Sequence, residues 1–381
     1  MKWTRWNGKC LGRWMLSAPR LKCPNPKCST PFVLFVSKGW TRPVRCLGGK
    51  RRKRLKCPGC GLRCTDNVHK IHYRLQHKDP ALNSKIFNLC VLGVSNRKVS
   101  TVLAISEHSV RIRLARLSQK ALEFHHSQSN ELKISEPIAY DGLENFAGSQ
   151  YDPNNINQAV GRNSLFIYDF NFASMNRKGR MSPWQRRRLH HIVSTNGRYN
   201  SKNIRLATCD ILRRIYERRD KTKQLLLLSD EHFQYRRVLR EDLKLPNLVH
   251  QTVSSKACRN YQNILFSVNH ADLLIRKSLA AFARETIAFS KTAGRMCQRY
   301  ALFMVHKNYM CTQFTKKHSR REGANLKSPA ELLGLADRLL RFQDIFHYRS
   351  FVENTMAMND DWKCFWRAQV PRKYIRSLEF R

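Results

Sequence analysis

Three acids, Asp141, Asp230 and Glu285, sit in local patterns where a carboxylate could work on a ligand. Asp230 closes the run Gln224-Leu225-Leu226-Leu227-Leu228-Ser229-Asp230-Glu231-His232. Four leucines, too few to cross a membrane, read as a strand buried on both faces. An acid at the carboxyl end of a parallel strand opens into the crevice where α/β sheets bind ligands and metals. Ser229-Asp230 also reads as a helix N-cap, and the run alone leaves both readings open. Asp141 lies inside Pro137–Phe146, a strand pattern that tolerates a carboxylate only where something pairs with it, and a metal would do so. Glu285 falls on a helix expected from about Asp272 to Ser290, with Leu279, Phe282 and Phe289 on its core face. It lines up with Ala281 and Ala288, which leave room for an ion and a phosphate; pairing with Arg284 or Lys291 is the structural alternative. Asp272 is the other candidate for the third acid, and Glu144 and Glu231 could support the set. Three converging carboxylates can hold two divalent ions, which stabilise the attacking and leaving oxygens of a phosphodiester displacement. Such all-oxygen ligands suit Mg²⁺ or Mn²⁺.

The second chemical pattern is thiol. Seven of the 13 cysteines precede residue 65, and Cys23-x4-Cys28 with Cys57-x2-Cys60 gives two knuckles able to hold one tetrahedral Zn²⁺. Cys46 or Cys64 could replace one ligand, and a set of Cys57, Cys60, His72 and His77 is a second arrangement. Between the knuckles lies the block Arg51-Arg52-Lys53-Arg54, so residues 1–78 read as a basic zinc-ribbon module able to meet phosphate.

Other elements must position these groups. Over 79–124, a stripe of Ile86, Leu89, Cys90 and Leu92 breaks at Gly93-Val94. Ser95 then caps a helix with Val99, Val102 and Leu103, and Ser106 caps a third carrying Val110, Ile112, Leu114 and Leu117 inward. A helix-turn-helix is expected here, with His108, Arg111, Arg113 and Arg116 facing a DNA groove. Polar residues from His125 to Glu136 read as a linker. The catalytic segment, 137–320, opens with three antiparallel strands: Pro137–Phe146, Asn155–Val160 and Leu165–Ala173. Ser182-Pro183-x-Gln185 is a capping box before a very basic helix, and Ser201–Arg219 is another helix. The leucine strand and a last strand, Asn247–Val253, follow. Residues 321–381 read as a basic helical extension, its first helix capped by Ser328-Pro329-x-Glu331 and carrying Leu332, Leu335, Leu339 and Leu340.

With 71 Lys+Arg against 27 Asp+Glu, a formal net charge of +44, the chain must meet a polyanion. Hydrophobic residues at 42% exclude a disordered basic tail. No apolar run is long enough to span a membrane and no signal peptide is visible, which predicts an intracellular protein with reduced or metal-bound cysteines.

Taken together, Cys23-Pro24-x3-Cys28, Cys57-x2-Cys60-Gly61, Asp141-Gly142-x-Glu144-x-Phe146, Ser229-Asp230-Glu231-His232, Asn269-His270 and Arg284–Ser290 resemble the DDE transposases of bacterial insertion sequences. The resemblance covers residues 20 to about 310. It implies an α/β fold: a ribonuclease H-like mixed sheet with flanking helices, preceded by a zinc ribbon and a helix-turn-helix. It further implies Asp141, Asp230 and Glu285 as the metal-binding triad, with Mg²⁺ or Mn²⁺ driving cleavage of element ends and strand transfer. The partners implied are double-stranded DNA, as terminal inverted repeats and target, and further copies of the chain. The place implied is the bacterial cytoplasm, at the nucleoid. Two rival functions share these features: a DNA-binding descendant that has lost catalysis, and a structure-selective nuclease that cuts without joining.

Overall fold

The computed structural model describes Asp79 and residues 81–283, 289–314, 326–346 and 357–371, together with four short strands in the first eighty residues. The chain divides into two compact units, Met1–Pro80 with Arg349–Glu353, and Ala81–Tyr348 with Asn354–Arg381. In the first unit, β1 (Arg5–Trp6) pairs antiparallel with β2 (Lys9–Cys10), and β3 (Arg54–Lys56) with β4 (Arg63–Thr65). Cys57 and Cys60 belong to the connection between β3 and β4. Like Cys23, Cys28, Arg51, Arg52 and Lys53, they lie outside the described residues.

The second unit begins with α1 (Ala81–Val91), α2 (Asn96–Val102) and α3 (Glu107–Ser129). Ser95 and Ser106 act as the expected N-caps, each accepting a backbone N–H three residues on. Gly93 turns the chain at φ +87°, and a Cβ there would strike the carbonyl oxygen of Ser278, so only glycine allows this turn to abut its neighbour. The helical stripes are only partly as expected: Ile86, Cys90, Val99, Val110, Leu114 and Leu117 are buried, while Leu92, Val102 and Ile112 are exposed. Arg113, expected to face a groove, is buried and donates to Asn83 Oδ1 at 2.8 Å. His125–Ser129, read as linker from its polarity, forms the last turn of α3. His125 is fully buried, stacked on Phe166 at 5.3 Å, with Tyr309 Oη 3.1 Å from Nδ1 and the Tyr168 carbonyl 3.4 Å from Nε2. Burial, and then the nearby Arg218, push its pKa down to about 3, so the ring is neutral and belongs to the core.

A five-stranded mixed sheet follows, ordered β7-β6-β5-β8-β9. β5 (Ile138–Phe146), β6 (Pro153–Gly161) and β7 (Ile167–Ser174) are antiparallel neighbours. α4 (Pro183–Asn196) and α5 (Asn203–Glu217) come next, then β8 (Leu225–Asp230), α6 (Phe233–Arg237) and β9 (Leu248–Val253). β8 runs parallel to both β5 and β9. The last long elements are α7 (Phe266–Ser278) and α8 (Ala293–Val305).

Helices cover both faces of the sheet, and adjacent strand residues show which is which, because side chains alternate. Tyr140 Oη donates to Thr208 of α5 at 3.0 Å on one face. Gln158, level with Asp141, meets α7 and α8 on the other. Burial on both sides explains why β7 has no exposed residue and why β8 is a leucine run. β6 is polar yet buried. Two of its amides form a short chain, Asn155 Nδ2 donating to Asn157 Oδ1 (3.0 Å) and Asn157 Nδ2 to Asn171 Oδ1 of β7 (2.9 Å).

The helix expected over Asp272–Ser290 starts six residues earlier, at Phe266, and stops at Ser278, where Leu279 turns extended (φ −124°, ψ 103°). Leu279 and Phe282 are still buried, but from a turn and a single 3-10 segment. The helix capped by Ser328 has its capping box but spans only Pro329–Leu332, and Leu339 beyond it is exposed. The tail helix Asp360–Trp366 docks on the core: Trp362 Nε1 donates to the Phe170 carbonyl (3.0 Å) and Trp366 Nε1 to Glu123 Oε1 (2.9 Å). Among the described residues, no helix is long and apolar enough to cross a membrane.

Candidate active site

Asp141 and Asp230 reach the same level from neighbouring parallel strands. Ala139 pairs with Leu228, and carrying that register two residues forward sets Asp141 beside Asp230 on one face of the sheet. Asp141 Oδ1 accepts the Gly142 N–H at 2.7 Å, and Asp230 Oδ1 accepts the His232 N–H at 3.0 Å. Gly142 is needed here: a Cβ would overlap the side chain of Asn155, which lies over it from β6. His232 is the N-cap of α6, while Ser229 and Asp230 belong to β8, so the reading of Ser229-Asp230 as a helix N-cap does not hold.

The third carboxylate arrives from α7. Asp272 faces the sheet, where Gln158 Nε2 donates to its Oδ1, and Gln158 Oε1 accepts from Tyr300 Oη of α8 at 2.5 Å. Since Gln158 is the β6 partner of Asp141, this relay fixes Asp272 beside Asp141. A cleft of about 690 Å³ opens over them, lined by Asp141, Asp272, Arg259, Asn269, His270 and Arg276 among others. Burial raises the Asp141 carboxyl to about 7, reinforced by the negative charges of Asp272 and then Asp230, while Gly142 N–H and Arg259 oppose the rise. His232 is held below its usual value by burial, with Lys178 acting in the same sense against Asp230 and Glu144.

Of the residues expected at the site, Asp141 and Asp230 come together and Glu285 lies outside the described residues. Asp272 lines the same cleft as Asp141. Glu144 lies close enough to His232 to act on its ring, and Glu231 is exposed and 3.9 Å from Arg236. His108 and Arg111 are exposed and Arg116 is half-buried on α3; Arg54 opens β3. The sequence reading missed Gln158, Tyr300 and Arg259. A signal for Gln158 was present: four amides within one strand interior, Asn154-Asn155-Ile156-Asn157-Gln158, must be paired if buried.

The chain matches no protein-family model and no curated relative. The site must therefore be judged on its own chemistry. Its donors are hard oxygens, and burial together with two neighbouring carboxylates raises the Asp141 carboxyl, so a divalent cation fits both donor type and charge. Among the described residues, no three His, Cys, Asp or Glu side chains already converge as an ion cage. Gln158 occupies one Asp272 oxygen, and ligation by that oxygen would replace this hydrogen bond.

Proposed function

We propose that the chain is a metal-dependent DNA transposase, with Asp141, Asp230 and Asp272 as the acids that hold the catalytic ions. The observation that carries this reading is the meeting of Asp141 with Asp230 on the adjacent strand and with Asp272 of α7, which lines the same cleft, the Asp141 carboxyl being raised by burial and then by the other two acids. The sheet adds support: three antiparallel strands, then two parallel ones added beyond the first, is an order compatible with a ribonuclease H-like fold. A net charge of +44 supplies the attraction to nucleic acid.

Bound Mg²⁺ or Mn²⁺ would neutralise charge on the attacking and leaving oxygens of a phosphodiester. The chain's own residues do the rest. Asp141 and Asp230 each accept a backbone N–H, which keeps their carboxylates from rotating freely. Gln158 and Tyr300 set the rotamer of Asp272, and Arg259 offers positive charge to a phosphate entering beside Asp141. In the amino-terminal unit, Cys23, Cys28, Cys57 and Cys60 are proposed to hold Zn²⁺, a reading supported by the β3–β4 pairing that brackets the second cysteine pair. Recognition of duplex ends by α3 now rests on His108, Arg111 and Arg116, without Arg113.

The test is cleavage of labelled duplex carrying the element's own ends, followed by joining of the cut 3′ end to a second duplex. Asp141→Asn, Asp230→Asn and Asp272→Asn should each abolish cutting while DNA binding persists. Cutting without joining would make the protein a nuclease, and absence of cutting with tight binding would leave a DNA-binding protein. If Glu285→Gln abolishes cutting and Asp272→Asn does not, the third acid is Glu285.

A further inference from the structure

Helix α4 has no role in the fold that its burial would explain. None of its residues is buried, and its residues 185, 189, 192 and 193 are only half-covered. Trp184 is 62% exposed, a large apolar surface facing solvent. Its ends are nonetheless well determined: Ser182 and Gln185 close a full capping box with Pro183 in the first turn. The excursion that carries it is clasped at the base, where Asn176 Nδ2 donates to the Tyr199 carbonyl (2.7 Å) and Tyr199 N–H donates to Asn176 Oδ1 (3.0 Å). Tyr199 Oη also donates to Asp152, which anchors the clasp to the sheet. A helix fixed this firmly and packed this little is built to meet something else.

Charge identifies the partner. Between Arg177 and Arg198 the chain has seven Lys and Arg, and no Asp or Glu occurs from Phe170 to Cys209. Arg186, Arg187 and Arg188 are exposed, and among the described residues none of them forms an ion pair, whereas Arg205 just beyond is committed to Asp242 and Glu241. Position points the same way. β7 lies two strands from β5 and runs in the same direction, so the excursion leaves from the end of the sheet at which β8 closes with Asp230. Phe170 is level with Asp141 through Gln158, and β7 ends four residues later at Ser174. Two strand spacings across and four residues along amount to roughly 16 Å.

We propose that α4 is a clamp for double-stranded DNA, laid along the sugar-phosphate backbone of the duplex whose scissile bond occupies the acid cleft. Arg186, Arg187 and Arg188 neutralise phosphates, and Trp184 covers the sugar edge. The root of the excursion thus stands roughly 16 Å from Asp141, and the contacts of α4 fall on duplex flanking the cutting site. This inference rests on the reading of the cleft as a DNA site and adds where the flanking duplex is held.

The experiment is equilibrium binding of the full chain to a blunt, random-sequence duplex across a salt series, with chelator present so that cutting plays no part. Replacing Arg186, Arg187 and Arg188 together by Gln should lower the slope of log K against log salt by about 2 to 3 and weaken binding on the order of 100-fold near 0.1 M salt. The melting temperature should not change, because no buried contact is lost. If it does change, Arg187→Glu alone takes its place and should weaken binding in the same salt-dependent way. An unchanged affinity and slope overturns the proposal, as does an equal loss of binding to polyglutamate, which would mean a general polyanion surface. Loss of duplex binding in a chain that never cuts DNA would sustain the clamp and refute the transposase reading. Normal binding by the variant of a chain that does cut would refute the clamp alone.

Discussion

Replacing Asp141 by Asn should make the metal-free protein more stable at pH 8 and bring no comparable gain at pH 5. Asp141 faces Asp230 from β8 and Asp272 from α7, and the opposing cation within reach is Arg259. Moving a carboxyl from 3.8 to about 7 separates its neutral and charged forms by about 4 kcal/mol. The residue is half-buried, so that figure is an upper bound. Because the folded value is raised, the stabilising form is the protonated one. Its contribution is whole below about pH 4 and is lost as pH rises through about 7. Asn removes the ionisation and can still accept the Gly142 N–H. Between pH 5 and pH 8 the wild type should therefore lose roughly 2–3 kcal/mol relative to Asp141→Asn. Urea denaturation of both proteins with chelator at the two pH values measures this directly, since most other titrations cancel in the difference. Added Mg²⁺ at pH 8 should recover much of the loss in the wild type and little in the variant, because binding to the folded state stabilises it. A wild-type-to-variant difference independent of pH would mean that the three acids do not share one field, and the site as described would fail.

Further predictions follow from the same geometry. Gln158→Leu or Tyr300→Phe should lower cutting by about 10- to 100-fold with binding intact, the usual scale for groups that orient a ligand; unchanged cutting would show that Asp272 needs no relay. Asp361→Asn should cost on the order of 3 kcal/mol, since Arg214 lies between Asp169 (2.6 Å) and Asp361 (3.2 Å) and ties the tail to the sheet. Denaturant midpoints would check it, and a change under about 0.5 kcal/mol, the usual range for a surface substitution, would mean the tail is not part of the cooperative unit. Arg113→Ala should act as a stability variant, costing about 1–3 kcal/mol through loss of its buried hydrogen bond to Asn83. Arg111→Ala should leave the melting temperature alone and weaken binding to duplex, and the opposite pattern would reverse their assigned places.

Much of this protein was legible locally. Ser95, Ser106, Ser182 and Ser328 start helices because a cap is a contact over three residues, visible in any short window. The five strands fall within two residues of their expected starts; for β7 and β8 burial on both faces leaves a run of apolar residues that needs no partner to be recognised, whereas β6 is polar and β9 only partly covered. Asp141 and Asp230 could be picked out for the same reason: a charge inside or closing such a run is costly without a purpose. Other features depended on neighbours that the sequence does not display. The end of α7 at Ser278 carries no Gly or Pro signal and coincides with the close approach of Gly93, nearly two hundred residues earlier. Arg113 and His125 look like surface residues by type and are core residues because Asn83, Phe166 and Tyr309 come to meet them. Asp272 is distinguished from other helical acids only by Gln158 across the sheet from Asp141. What the sequence by itself determined is therefore what capping and alternation determine within a few residues. That Asp272 joins Asp141, and that Arg113 is buried while Arg111 is exposed, was decided by the packing of helices, because groups far apart in the chain interact only where folding brings them together.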